Sequence, residues 1–177
     1  IDHPPTQTTK IKSAQSATQN SVTMPENFKY LAADLTSEPL RDVLTKAGYN
    51  SALPGIFIIE GVLMYMKESQ VAKVFTEIHQ STLQKSVCIF TFMEKDSQGR
   101  IRFGKSNLHA VNAWLKLKKE PFRWGTAPKH IFAFIEKTGW KIGTLSTPEN
   151  MRKYLQNSDV IDTNPASGEH VGVATWN

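Results

Sequence analysis

Two carboxylates in this 177-residue chain stand where a run of strand-type residues stops. Asp34 follows Phe28-Lys29-Tyr30-Leu31-Ala32-Ala33, and Glu60 follows Ile56-Phe57-Ile58-Ile59. Asp2 closes a third such segment if the body of that strand lies ahead of the first residue. A carboxylate at the carboxyl end of a strand is a double hydrogen-bond acceptor placed where the backbone opens into a crevice, suited to a ribose diol or an amine. Asp34 has a second reading, as a cap for the helix that begins near Glu38. Four apolar residues lead straight into Glu60, and a buried strand terminus is an expensive place for an unpaired charge. That position calls for a ligand or a neighbouring cation. Gly61 beside it would let a ligand come close to the backbone.

The remaining reactive side chains carry less. His79, His109 and His130 are isolated histidines without a base or ligand pattern, so structural roles are expected. His3, next to Asp2, could line the same crevice. No cluster of His, Cys or acid has metal-site spacing, and no metal is expected. Cys88 lies inside an apolar run and reads as an inert core thiol. Tyr65, five residues past Glu60, is a substrate-side candidate, with packing under the next helix as the alternative. Arg123 beside Trp124 could meet an anionic acceptor, since guanidinium pairs with carboxylate bidentately. The alternative is a plain amphipathic surface.

These residues must be positioned by alternating helices and strands. Pro4 to about Thr18 is polar and opens on Pro-Pro, suited to a first helical turn. Leu40, Val43, Leu44 and Ala47 repeat at helical spacing, with Ser37 as a plausible cap and Gly48 as a stop. Ile56–Ile59 is continuously apolar, the pattern of a central strand buried on both faces. Lys67 to Leu83 is an amphipathic helix with Val71, Val74, Phe75 and Ile78 on one face. Ser86 to Met93 is a second buried-type strand. Glu94 to Gly125 turns polar and basic, with a helical patch around Leu108, Val111 and Leu115. A helix over Pro128–Thr138, a strand over Trp140–Leu145, a short helix over Pro148–Leu155 and a last strand over His170–Trp176 follow. The alternation predicts an α/β architecture with a mainly parallel sheet.

Composition limits the alternatives. The chain is 40% hydrophobic and 21% charged, values of a globular domain rather than a disordered or collagen-like one. One cysteine excludes a disulfide framework and any multi-cysteine zinc site. The longest apolar stretch is broken at Glu60, too short to span a bilayer, and with no visible signal peptide the expected location is cytoplasmic. The net charge is +5, but the charges are spread along the chain rather than striped, so no nucleic-acid partner is expected. The basic cluster of Lys116, Lys118, Lys119 and Arg123 reads as a solvated helix end.

Three segments together resemble a known family. Ile1-Asp2-His3-Pro4, Ala33-Asp34-Leu35 and Glu60-Gly61-Val62-Leu63-Met64-Tyr65-Met66 look like the S-adenosylmethionine-dependent methyltransferases of the leucine carboxyl methyltransferase group, in particular their bacterial O-methyltransferase relatives. Glu120-Pro121-Phe122-Arg123-Trp124-Gly125 and Thr138-Gly139-Trp140 resemble the family's carboxyl-terminal part. The resemblance implies a class I, Rossmann-like, doubly wound sheet, mostly parallel with an antiparallel last strand. It implies S-adenosylmethionine as cofactor, with Asp2 on the ribose hydroxyls, Asp34 beside the adenine amino group, Leu35 against the adenine, and Glu60 near the methionine part. It further implies methyl transfer to a carboxylate or hydroxyl oxygen of a small molecule or peptide.

The family's glycine-rich loop, and the first strand before it, have no counterpart here. The chain is therefore expected to be the carboxyl-terminal portion of a longer enzyme. It would form one methyltransferase-like domain over residues 1–177, with 94–125 as an inserted segment that sets acceptor choice. Two other readings stay open: a non-catalytic Rossmann-like interaction module, and a nucleotide-dependent oxidoreductase, which would need a glycine fingerprint.

Overall fold

A computed structural model describes residues 1–18, 25–83, 85–101, 121–156 and 168–176. They fall into two compact units, Ile1–Ser51 and Ala52–Asn177. The expected helical patch at Leu108, Val111 and Leu115, His109 and the lysine cluster at 116–119 lie outside the described residues.

The first unit holds helix α1 (Pro4–Thr18) and helix α2 (Leu40–Lys46). The two prolines start α1, where the missing N–H groups would have no partner in any case. Helix α2 ends as its sequence demands. Gly48 adopts φ +77°, the Tyr49 N–H reaches the Leu44 carbonyl at 2.9 Å, and the Gly48 N–H reaches Thr45 at 3.0 Å. Lys29 Nζ donates to the Ala47 carbonyl at 2.6 Å, a cation at the negative end of the helix. The expected cap is not Ser37: the N-cap of α2 is Pro39, and the Ser37 hydroxyl turns back to Asp34. The strand expected over 28–33 is reduced to one parallel bridge, Asp2 to Ala32. The bridge carries the Asp2 N–H to Leu31 carbonyl bond (3.0 Å) and the Ala33 N–H to Asp2 carbonyl bond (2.9 Å).

The second unit is a four-stranded sheet of β1 (Ile56–Ile59), β2 (Val87–Met93), β3 (Trp140–Ser146) and β4 (Glu169–Trp176), in the order β1-β2-β4-β3. β1 and β2 are parallel, in the register Ile59 to Phe90. β4 runs antiparallel to both β2 and β3. Three strands thus share one direction and the last opposes them, in agreement with the expected mixed α/β sheet. Between β1 and β2 come a 3-10 turn (Leu63–Tyr65) and helix α3 (Glu68–Gln80). Helix α4 (Pro128–Glu136) precedes β3, and helix α5 (Pro148–Gln156) follows it.

The core sits on one face of this sheet. Cys88, Phe90 and Phe92 alternate with half-buried Val87, Ile89 and Thr91, as the two-residue period of a strand requires. Phe75 of α3 meets Phe90 edge-on at 4.9 Å, and Trp124, packed against Phe134 of α4, faces Phe92. The Trp140 indole N–H reaches across to the Phe75 carbonyl at 3.0 Å, tying α3 to β3. Burying Val71, Val74, Phe75 and Ile78 of α3 contributes about 1.5–3 kcal/mol for each side chain. The expectation that Ile56–Ile59 is buried on both faces is not met. Among the described residues β1 is the edge of the sheet, and Ile56 and Ile58 are 72% and 68% exposed. They share their face with half-buried Val87 and Ile89, opposite the one that carries Phe90 and Phe92. Among the described residues no helix is long and apolar enough to cross a membrane.

Candidate functional site

In the first unit the Asp2–Ala32 bridge lays two parallel segments side by side. Asp2 and Asp34 therefore emerge at the same end of adjoining backbone, and the His3 charge acts on Asp34 across this rim. Asp2 is half-buried. Its Oδ1 accepts the His3 N–H at 2.8 Å, and its Oδ2 pairs with Lys10 Nζ of α1 at 2.5 Å. Partial burial opposes its ionisation, but Lys10 and the His3 N–H outweigh this and hold the carboxyl below its usual range.

Asp34 organises a turn. Its Oδ1 accepts from the Thr36 N–H (2.9 Å) and the Thr36 hydroxyl (2.7 Å), and its Oδ2 accepts from the Ser37 hydroxyl (3.0 Å). Glu38 Oε1 reciprocates by accepting the Asp34 N–H at 2.8 Å. The Thr36 hydroxyl and N–H, with Ser37, hold Asp34 below the usual carboxylate range. The capping alternative weighed for Asp34 is thus realised in altered form: it caps the turn at 34–38, not α2. Asp34 Oδ1 already takes two donors, whereas Asp34 Oδ2 and each Asp2 oxygen take one, so both acids can still accept ligand hydrogens there. Leu35, half-buried in the same turn, follows directly.

In the second unit Glu60 stands at the end of β1, as expected, but it is exposed. The argument that burial forces a partner onto it therefore does not hold. The same edge position that bares Ile56 and Ile58 leaves it in solvent. Gly61, at φ +67°, anchors the turn through its N–H to Thr91 Oγ1 at 3.0 Å, and nothing fills the space a Cβ would take there.

Tyr65 and Arg123 are brought to one place. The Tyr65 ring lies 5.7 Å from that of Phe122, and the backbone N–H groups of Arg123 and Trp124 both point at the Met64 carbonyl (2.7 and 3.2 Å). The Tyr65 and Arg123 side chains are partly exposed, whereas Trp124 is buried. The structural readings of two other residues are supported. Burial pushes the Cys88 thiol up to about 12. His79 stacks on Trp176 at 3.9 Å, with Gly139 packed against its ring.

One pair was not anticipated from sequence. Glu94 directly follows β2 and meets His170 of β4: Oε2 lies 3.3 Å from the ring Nε2. Glu94 lines a cleft of about 540 Å³ with Glu68, Lys95, Asp96, Lys129 and His130. The signal that marked Asp34 and Glu60, an acid ending an apolar run, was present at Glu94 as well. Its partner 76 residues away was not visible. Among the described residues no group of three His, Cys, Asp or Glu side chains could hold a metal ion.

The model of the leucine carboxyl methyltransferase family matches residues 1–79. No curated protein matches the sequence. Among solved structures, LaPhzM is 10% identical, with 99% of this chain and 41% of that chain covered and a TM-score of 0.55. LepI in complex with S-adenosylmethionine is also 10% identical, with 99% and 35% covered and a TM-score of 0.52. The S-adenosylmethionine-dependent methyltransferase SibL, in its apo form, is 10% identical, with 99% and 42% covered and a TM-score of 0.51. The chain thus spans 35–42% of the length of these structures. At this identity the likeness concerns the fold. Residues 1–79, which include Asp2, Asp34 and Glu60, match the leucine carboxyl methyltransferase family, and the chain has the fold of class I S-adenosylmethionine-dependent methyltransferases.

Proposed function

We propose that the protein to which these residues belong is an S-adenosylmethionine-dependent O-methyltransferase acting on a small molecule or peptide. The observation that carries this reading is the parallel bridge that brings Asp2 and Asp34 to one end of adjoining segments, within the residues that match the family. When bound, the cofactor supplies an electrophilic methyl group on a sulfonium. The chain's own residues bind and orient it. Asp2 accepts the ribose hydroxyls, Asp34 accepts the adenine amino hydrogens, and Leu35 packs on the ring. Glu60 offers its anionic charge to the ammonium and sulfonium end. Lys10 must share or release Asp2 for a diol to dock, and its exposed, flexible side chain allows this. Tyr65 and Arg123 stand on the acceptor side, where alignment and exclusion of water govern the rate. The expected cytoplasmic location belongs to the same proposal.

The engagement of both acids by Lys10, Thr36 and Ser37 favours one rival, a Rossmann-like interaction module in which these carboxylates only hold turns. Calorimetry of the full-length protein with S-adenosylhomocysteine separates the two. Binding that is lost when Asp34→Ala and Glu60→Ala are combined supports the methyltransferase. Unchanged binding in that double variant, or none in a well-folded wild type, overturns it.

A further inference from the structure

Glu94 is held through both its backbone and its carboxylate. Its backbone N–H bonds the Gly168 carbonyl at 2.6 Å, and a parallel bridge pairs it with Thr126. The third hold is the contact of its carboxylate with His170. The His170 ring is stacked on Phe92 at 5.2 Å with 20° between the planes, so it cannot swing away without leaving the core. His170 is buried, and its Nδ1 has no hydrogen-bond partner among the described residues. Placing the ring proton on Nε2 directs it at the carboxylate and leaves only a lone pair at the buried nitrogen. The opposite tautomer would bury an N–H at Nδ1 and set the Nε2 lone pair against the carboxylate. His170 thus presents Glu94 as an oriented acceptor on the wall of the cleft.

The cleft lies at the carboxyl ends of the parallel strands, where ligands bind in such sheets. Ile59 is in register with Phe90, and the N–H of Gly61 bonds Thr91. Glu94 therefore stands about three residues, roughly 10 Å, beyond the level of Glu60 on the neighbouring strand. That offset suits a second ligand placed next to the one that Glu60 serves. Among the described residues the charged groups facing Glu94 include His170 from β4, Glu68 at the start of α3, Lys95 and Asp96 on its own segment, and Lys129 and His130 of α4. Asp96 is held by its own turn and by Arg100. With Asp96 offset by Arg100, Glu68 and Glu94 balance Lys95 and Lys129 among the described residues, so the lining offers no positive excess to an anionic guest.

We propose that this cleft receives a neutral, hydroxyl-bearing methyl acceptor and that Glu94, positioned by His170, takes its proton. This rests on the methyltransferase reading and narrows it from any oxygen to a hydroxyl. A carboxylate acceptor is already ionised and needs no base, whereas a hydroxyl does. In the step, the acceptor O–H bond breaks and its proton passes to a Glu94 oxygen. The acceptor oxygen bonds to the methyl carbon, and the carbon–sulfur bond of the sulfonium donor breaks with its electron pair going to sulfur. The products are a methyl ether, a protonated Glu94 and the neutral thioether.

The test uses the full-length protein, two probes and two readouts. Amide chemical shifts are followed during titration with phenol and, separately, with benzoate. Phenol is expected to move the amides of Glu94, Lys95, Thr126 and His130, and benzoate to leave them in place. Phenol affinity should fall about tenfold in Glu94→Gln, the loss of a charge-assisted hydrogen bond. It should fall in His170→Phe, which keeps the ring stack, and return in His170→Gln, which restores an N–H donor toward Glu94. Benzoate displacing phenol from these amides, no response to either probe, or unchanged phenol affinity in Glu94→Gln each overturns the proposal. Calorimetry with S-adenosylhomocysteine on the same sample keeps the two readings apart. Normal cofactor binding with a silent cleft sinks the acceptor assignment alone, and absent cofactor binding sinks the methyltransferase reading.

Discussion

Replacing Asp34 by asparagine and by alanine separates a ligand contact from a structural turn. The carboxylate accepts three hydrogen bonds inside its own turn, from the Thr36 N–H, the Thr36 hydroxyl and the Ser37 hydroxyl. In Asp34→Asn the amide oxygen can occupy the Oδ1 place and keep both Thr36 donors. The amide nitrogen takes the Oδ2 place, and the Ser37 hydroxyl rotates to accept from it. The turn loses charge assistance alone, about 0.5 kcal/mol at this partly exposed site, or a few degrees in Tm. The adenine amino group fares worse, because an amine now faces an amine. Losing a hydrogen bond to a charged acceptor costs about 1.5–3 kcal/mol, which weakens S-adenosylhomocysteine binding roughly tenfold to a hundredfold. Asp34→Ala removes all three turn bonds as well and is expected to lower stability by about 2 kcal/mol, with a similar loss of affinity. Calorimetry for binding and thermal melts for stability, on the full-length protein, give both numbers. The reasoning is refuted if Asp34→Asn binds within about twofold of wild type. It is equally refuted if affinity falls only in proportion to stability across the two variants, since Asp34 would then serve the turn and nothing else.

Two further outcomes follow from the geometry. Asp2 and Asp34 are both held below their ordinary value of 3.8 in the folded state. Their contribution to stability is therefore fully present above that value and is lost as the pH falls through the lower, folded values. Urea unfolding at a series of acid pH values should show stability dropping below about pH 4, with a shallower drop in Asp2→Asn combined with Asp34→Asn; identical slopes would contradict the pairing. In the sheet, a Cβ at Gly172 would come within 2.7 and 2.9 Å of ring carbons of Phe90. Gly172→Ala should cost about 1–3 kcal/mol by denaturant titration, and adding Phe90→Leu should recover part of it; a neutral Gly172→Ala would mean that the ring is free to move.

Much of this molecule was legible in its residues because local signals and the fold agree. The repeat at Leu40, Val43 and Leu44 with Gly48 behind it defines α2 and its stop, since few side chains tolerate the φ of +77° required there. The apolar face of α3 and the alternation in β2 and β4 follow from burial on one side of a sheet. The acids at 2, 34 and 60 were singled out by one rule, a charge placed where a strand ends, and of the three only Glu60 follows a strand in the structure. Where the reading failed, the missing information was environment. Ile56–Ile59 has the composition of a strand covered on both faces, but composition cannot say which neighbours arrive, and among the described residues β1 is an edge. Ser37 has the chemistry of a helix cap, yet it bonds Asp34, because two acceptors compete for one hydroxyl and distance decides.

By itself, then, the sequence determined most of the helices and strands of the second unit, the helices of the first, and that Glu60 stands at a strand end. Those properties depend on residue size, hydrophobic period and backbone freedom over a few neighbours. Only the tertiary structure decided what each carboxylate meets: Lys10 at Asp2, a turn at Asp34, solvent at Glu60, and a buried imidazole at Glu94. A hydrogen bond acts over about 3 Å, and whether residues 94 and 170 come that close is settled by the antiparallel register of β2 and β4, which no local spacing encodes.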